Sequence, residues 1–136
     1  MEIINEQNNG RVPVTIFHIE GALTAASYQL LRQQAEDAYA AGTRDLLLDL
    51  TAVSFMDSAG LRALHEIFLL LRTNSTEEAN RSLRKGIAAG TYKASHLKLL
   101  NPNREVLQVL KMSGFDMFLE IYSNSQKALA AFEATD

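Results

Sequence analysis

The stretch Phe55-Met56-Asp57-Ser58-Ala59-Gly60-Leu61, FMDSAGL, decides how this sequence is interpreted. It follows the apolar run Leu46-Leu47-Leu48-Asp49-Leu50, which is short enough for a buried strand. It precedes residues 58–73, which predict a helix because apolar side chains recur there at helical spacing. Those side chains are Leu61, Leu64, Phe68 and Leu71. FMDSAGL therefore lies between a strand and a helix, and loops at the carboxyl ends of strands usually carry function in α/β folds.

Two interpretations of Ser58 are open. In one, its hydroxyl caps the helix by accepting a hydrogen bond from a first-turn N–H, typically worth about 1 kcal/mol. In the other, Asp57 is the cap and Ser58 is left for phosphorylation, because the amino end of a helix tolerates a phosphate well. The phosphate would add a charge of about −1.5 to −2 next to Asp57. That charge could repel a protein that approaches the small residues Ala59 and Gly60 closely.

The helix after Ser58 also offers a predicted surface. Its outward stripe is Arg62, His65, Glu66, Leu69 and Thr73. Leu69 is the apolar member of this stripe, and a single exposed leucine is ordinary on a protein surface. Beside a candidate switch serine, it could equally be a partner contact, and the sequence leaves both interpretations open.

The elements before FMDSAGL predict a hairpin followed by a helix. Residues 2–7 and 12–19 are strand-like and flank a strong turn signal, which favours an antiparallel pair. Residues 24–41 predict a helix that Thr24 caps, with Gly42 as the left-handed residue after its last turn.

The elements after FMDSAGL continue the alternation of helix and strand. Residues 74–95 are polar, contain two glycines and predict a long loop, with a short helix over 77–83. Met112 and Met117 are expected to fill gaps in the core. The remaining predicted elements are a strand over 96–100, a helix opened by Asn101-Pro102 and ended by Gly114, a strand over 118–122 and a helix over 124–133. The order β-β-α-β-α-β-α-β-α predicts an α/β fold with a small, mixed and mostly parallel sheet.

Length and composition narrow the classes of function. The 136 residues are 47% apolar, which suits one domain over residues 1–136. The net charge of −3 comes from mixed acids and bases and gives no reason to expect nucleic acid as a partner. The absence of cysteine excludes disulfides and thiolate metal sites, the 3 scattered histidines argue against a metal site, and no cofactor is expected. No run approaches the ~20 apolar residues of a membrane span, and no secretory signal is evident, so we expect a soluble, cytoplasmic protein.

Three stretches resemble a known family. Asp57-Ser58-Ala59-Gly60-Leu61, after its apolar strand, resembles the signature of STAS domains, above all that of bacterial anti-sigma factor antagonists. Ile19-Glu20-Gly21-Ala22-Leu23 resembles the end of the family's second strand, and Met112-Ser113-Gly114-Phe115 resembles its late turn. The similarity covers most of residues 12–133, in matching order and spacing.

The resemblance implies a fold and a function. The fold is a small mixed sheet with about four helices packed mainly on one face. The function is a partner switch without catalysis: the antagonist binds an anti-sigma factor that is often also a serine kinase, and sigma factor is released. Phosphorylation of Ser58 breaks that complex, and a serine phosphatase resets it. The expected partner surface comprises Asp57, Ala59, Gly60, Leu61, Thr24, Arg62 and Leu69.

Two other functions remain open. The family commonly carries an acid-rich G-E-L-D sequence after its second strand, whereas this chain has Gly21-Ala22-Leu23-Thr24. That difference and the long loop favour a constitutive STAS scaffold in another signalling or transport complex. A small enzyme with Ser58 as nucleophile is the third function, but Ser58 lacks the preceding glycine of a nucleophile elbow. His65 and His96 follow it in the chain, with no indication that either reaches it.

Overall fold

The computed structural model describes residues 1–72 and 94–133, and strands alternate with helices along both ranges. The elements are β1 (Glu2–Asn9), β2 (Pro13–Leu23), α1 (Tyr28–Ala40), β3 (Leu46–Met56), α2 (Ser58–Leu71), β4 (Leu97–Leu100), α3 (Arg104–Met112), a 3-10 turn (Phe115–Met117), β5 (Glu120–Tyr122) and α4 (Ser125–Glu133). The predicted loop over 74–95 and its helix over 77–83 fall outside the described residues, apart from the last two positions of the loop.

The five strands form one mixed sheet in the order β1-β2-β3-β4-β5. β1 pairs with β2 antiparallel, and every other neighbouring pair is parallel. The predicted hairpin and mostly parallel sheet are therefore confirmed. Because β2 and β3 run in the same direction, their last residues, Leu23 and Met56, lie opposite each other at the carboxyl ends of the two strands. Helix α2 begins at the same end of the sheet, directly after β3.

Alternation along the strands divides the apolar side chains between two cores. Phe17 and Ile19 of β2 point into the larger core, which α1, α2 and α3 cover. Val14 and Ile16 point to the other face, where they pack against α4. Three of the helices in the described ranges thus pack on one face and α4 on the other, which confirms that the helices lie mainly on one side.

One charged side chain is buried on the α4 face. Lys98 of β4 is fully buried, and its Nζ lies 3.1 Å from Glu120 Oε1. The same Nζ lies 5.1 Å from the centre of the Phe132 ring of α4. Tyr122 donates to the other oxygen of Glu120, and burial, followed by this carboxylate, raises the pKa of Tyr122 to about 12.

The predicted amino-terminal caps of α1 and α3 were wrong. Strand β2 continues to Leu23, and Thr24 then opens a turn in which its carbonyl accepts from the N–H of Ser27 and of Tyr28. The cap position of α1 is therefore Ser27. The cap of α3 is Asn103, whose side chain accepts from Val106 N at 2.8 Å.

The carboxyl ends of the same two helices were predicted correctly from glycine. Gly42 and Gly114 have φ of 115° and 83°, so the left-handed residue predicted after the first helix and the predicted end of the third are both confirmed. Such backbone conformations favour glycine because it has no Cβ.

The two methionines predicted as core residues are exposed. Met112 is 80% exposed and Met117 57% exposed. The buried face of α3 consists of Val106 and Leu110, four residues apart. Met112 is two residues beyond Leu110, which turns its side chain to the opposite side of the helix.

Candidate functional site

The cap at the amino end of α2 is Asp57. Its backbone is extended, with φ −114° and ψ −168°. Its Oδ1 accepts hydrogen bonds from Ala59 N at 2.9 Å and from Gly60 N at 3.2 Å. These are the second and third residues of the helix, where an N-cap side chain finds its donors. Of the two interpretations that the sequence left open, the structure therefore selects Asp57 as the cap.

Ser58 is the first residue of α2, and its side chain is exposed. Within residues 1–72 and 94–133, its hydroxyl makes no hydrogen bond, because Asp57 already serves the first-turn amides. The hydroxyl therefore has no capping role to lose, and among the described residues nothing covers it.

Gly60 lies on the inner side of the same turn and is buried. A Cβ on Gly60 would lie 2.7 Å from Leu23 O and 2.7 Å from Met56 Cγ. Asp57 N donates to the same Leu23 carbonyl at 3.3 Å. The small size predicted to admit a partner at Gly60 is instead used within the fold, to hold α2 against the ends of β2 and β3.

The other predicted partner-binding residues differ in how far their side chains are exposed to solvent. Thr24 is half-buried, and its hydroxyl accepts from Ala26 N at 3.2 Å. Leu61 and Leu69 are half-buried and pack against the larger core. The Arg62 side chain is 71% exposed and lies four residues after Ser58 on α2. Most of the predicted residues thus lie close to Ser58. Four of them are at the start of α2, namely Asp57, Ala59, Leu61 and Arg62. Thr24 follows the end of β2, the strand that pairs with β3 beside this turn.

A family model for the STAS domain matches residues 4–79, more than half of the chain. This chain belongs to the STAS domain family. No curated protein sequence matches it significantly.

Solved structures share the fold. TM1081 of Thermotoga maritima, a candidate anti-sigma factor antagonist, has a TM-score of 0.70 and 18% identity, over 96% of this chain and 94% of that one. The Bacillus cell fate determinant SpoIIAA in its phosphorylated form has a TM-score of 0.57 and 16% identity, over 93% and 97%. The murine anion transporter Slc26a9 has a TM-score of 0.62 and 15% identity, over 95% of this chain and 21% of that one. The STAS fold therefore occurs both as a small separate protein and as part of a transporter.

Sequence reasoning missed a cluster of charged and aromatic side chains between α1 and α2 of this STAS domain. Tyr28 donates its hydroxyl to Glu66 Oε2 at 2.6 Å. The guanidinium carbons of Arg32 and Arg62 lie 5.7 and 5.4 Å from the centre of the Tyr28 ring. The ion pairs Arg32–Glu36 and Arg62–Glu66 have i,i+4 spacing, which the sequence could have shown. The contacts of Tyr28 with Glu66 and Arg62 join α1 to α2, and no pattern in the nearby sequence predicts them.

The predicted outward stripe on α2 is only partly outward. Glu66 faces α1, where Tyr28 and Arg32 contact it. His65 is exposed, and its ring lies 6.4 Å from that of Phe68. Thr73 lies outside the described residues. The part of the stripe that faces solvent near Ser58 is therefore Arg62.

A second polar cluster lies on the sheet face that α4 covers. His18 of β2 sits between two carboxylates, with Nε2 2.6 Å from Glu6 Oε1 and Nδ1 2.6 Å from Asp49 Oδ2. The bond to Glu6 raises the pKa of His18, burial opposes the rise, and Asp49 adds to it. Burial works to raise the pKa of Asp49, but hydrogen bonds from Thr51 and His18 lower it overall.

Two classes of site receive no support from the described residues. Across residues 1–72 and 94–133, no three His, Asp or Glu side chains are arranged to hold a metal ion. None of the helices in these ranges has the length and apolar character that a membrane crossing requires.

Proposed function

We propose that this STAS domain is a phosphorylation-controlled interaction module of the anti-sigma factor antagonist type, with Ser58 as the modified residue. In its unphosphorylated form it binds an anti-sigma factor that is also a serine kinase, in the cytoplasm, and sigma factor is released. Phosphorylation of Ser58 ends the interaction, and a serine phosphatase restores it. The module binds its partner and catalyses no reaction.

The observation that carries this proposal is that the Ser58 hydroxyl is exposed while the neighbouring Asp57 caps the helix. Asp57 holds the helix start through two hydrogen bonds, so modification of Ser58 breaks neither. The phosphate would add about −1.5 to −2 charge next to the Asp57 carboxylate. Like charges juxtaposed at an interface cost several kcal/mol, and about 4 kcal/mol corresponds to roughly a thousandfold in affinity.

The proposed contact surface follows from the positions of the predicted residues. Ala59, Leu61 and Arg62 lie on the first two turns of α2, and Thr24 lies beyond the neighbouring end of β2. Leu69 lies two turns further along α2 and contributes an apolar edge. Gly60 shapes this surface from beneath without touching a partner, because it is buried against Leu23 and Met56.

A second candidate function is a constitutive scaffold in another signalling or transport complex. It is favoured by Ala22 and Thr24, which stand where acidic residues are common in the antagonists, and by the structural similarity to part of Slc26a9. A serine hydrolase finds less support. Within the described ranges Ser58 makes no hydrogen bond to a histidine, and His96 pairs with Asp45, which precedes β3.

The test uses purified protein, ATP and each ATP-binding anti-sigma factor of the source genome. We expect one of them to add one phosphate, mapped by mass spectrometry to Ser58 and lost in Ser58→Ala. Ser54→Ala is the matched control, since Ser54 is also exposed and lies four residues earlier. The same kinase should bind Ser58→Ala about a thousandfold more tightly than the protein with phosphoserine at position 58. Equal binding of these two forms would favour the scaffold, and labelling at Ser54 instead would contradict the proposed site.

A further inference from the structure

A phosphate on Ser58 would find two of the first-turn amides already occupied. Asp57 Oδ1 accepts from both Ala59 N and Gly60 N. The sequence suggested that unpaired first-turn N–H groups would stabilise the phosphate. With Asp57 as the cap, the phosphate instead lies next to a carboxylate that competes for the same donors. A positive side chain nearby would therefore add stabilisation that these two amides do not supply.

Arg62 is placed to supply it. It follows Ser58 by four residues on α2, so the two side chains lie one above the other on the same face of the helix. An anion four residues before a cation is the favourable order for such a pair. The Arg62 side chain is 71% exposed, and its contacts are long: Nε is 3.5 Å from Glu66 Oε1, and the guanidinium carbon is 5.4 Å from the Tyr28 ring centre.

Moving Arg62 towards Ser58 would leave Glu66 with other partners. Tyr28 donates to Glu66 Oε2 at 2.6 Å, and Arg32 lies 3.8 Å from the same oxygen. The contact between α1 and α2 therefore does not depend on Arg62. Its side chain can change partner without exposing a buried charge.

We propose that Arg62 is the intramolecular counter-ion of phosphorylated Ser58, so that phosphorylation also withdraws Arg62 from the surface that a partner contacts. This inference rests on the proposed function only in taking Ser58 as the modified residue. Phosphorylation then changes the surface twice: it adds negative charge, and it engages the exposed positive charge of Arg62. An acidic partner surface would lose its attraction to Arg62 at the moment when it meets the phosphate.

The test places phosphoserine at position 58 during synthesis, so that no kinase is needed. The second pKa of the phosphate, near 6 in an unperturbed phosphoserine, is followed by ³¹P NMR at low salt. We expect it to be about 0.2–0.4 pH units lower in the otherwise unchanged protein than with Arg62→Gln, the scale of a helical i,i+4 charge pair. Arg62→Lys should recover part of the difference, and 1 M NaCl should reduce it.

Arg32→Gln is the matched control, because Arg32 also contacts Tyr28 and Glu66 but lies on α1. It should leave the phosphate pKa unchanged. The same phosphate pKa with and without Arg62 would overturn the inference. An equal effect of Arg32→Gln would also overturn it, because a general positive field would then replace the specific pair. Failure of every kinase to label Ser58 would count against the proposed function and leave this measurement unaffected.

Discussion

Replacing Gly60 with alanine tests whether close packing fixes the position of α2. The added methyl group would lie 2.7 Å from Leu23 O and 2.7 Å from Met56 Cγ. The methionine side chain can rotate away, but Leu23 O belongs to the backbone of a central strand. Its position is held because Leu23 pairs with Met56 of β3 and its carbonyl accepts a hydrogen bond from Asp57 N. Relief therefore requires α2 itself to move outward by a few tenths of an ångström or more.

The expected loss of stability combines two opposing effects. Overpacking in a well-packed interior costs about 1–3 kcal/mol, and a contact with fixed backbone belongs in the upper part of that range. Alanine in place of glycine in a helix returns about 0.5–1 kcal/mol. We therefore expect Gly60→Ala to lower the free energy of unfolding by about 1–2 kcal/mol.

The measurement is urea unfolding followed by circular dichroism, with amide NMR spectra of the folded state. The matched control is Ser58→Ala, two residues away on the exposed side of the same turn, which should change stability by less than about 0.5 kcal/mol. In Gly60→Ala, amide shifts should be largest at Leu23 and around Met56. A variant that is as stable as the unchanged protein, with shifts confined to its own turn, would refute the packing argument.

Two further predictions concern the cap and the histidine. Asp57→Ala should lower the free energy of unfolding by about 1 kcal/mol, because two amides of α2 lose their acceptor. Asp57→Asn keeps an acceptor and should lower the free energy of unfolding much less in the same urea assay. Equal losses of stability in the two variants would contradict the capping role. His18 has a pKa raised above 6.5 in the folded protein, so its ionised form stabilises the fold fully below about pH 6.5 and progressively less as pH rises through the folded value. The stability difference between the unchanged protein and His18→Gln should therefore shrink from pH 6 to pH 9, and an NMR-titrated His18 pKa at or below 6.5 would contradict this.

Local sequence signals identified the elements well but not their limits. The apolar run 46–50 predicted a strand, yet β3 continues to Met56. The continuation Thr51-Ala52-Val53-Ser54-Phe55 is not an apolar run, and it stays extended because it pairs with β2 as far as Leu23. The same pairing explains why β2 extends beyond residue 19. Where long-range pairing sets the end of a strand, composition near that end carries little information.

The candidate site shows the same division between local and long-range information. FMDSAGL located the turn, but Asp57 and Ser58 are both favoured N-cap residues. The choice between them depends on the backbone conformation and hydrogen bonds of the folded turn. Gly60 looked like a surface residue because the sequence does not show that Leu23 and Met56 lie beneath it. The contact between Tyr28 and Arg62 joins two helices and could not be inferred from spacing within either one.

The turn at the start of α2 separates the groups that hold its shape from the group that can change its charge. Asp57 fixes the first amides and Gly60 fixes the distance to the sheet, and both are satisfied inside the fold. Ser58 lies between them in the chain but takes part in neither contact. A modification at Ser58 can therefore alter the electrostatics of the surface by a full unit of charge or more while the backbone beneath it keeps its hydrogen bonds. Under that arrangement, loss of a partner on phosphorylation would come from repulsion and from the redirected Arg62 rather than from unfolding. Among residues 1–72 and 94–133, the contacts that position α2 do not involve the modified oxygen.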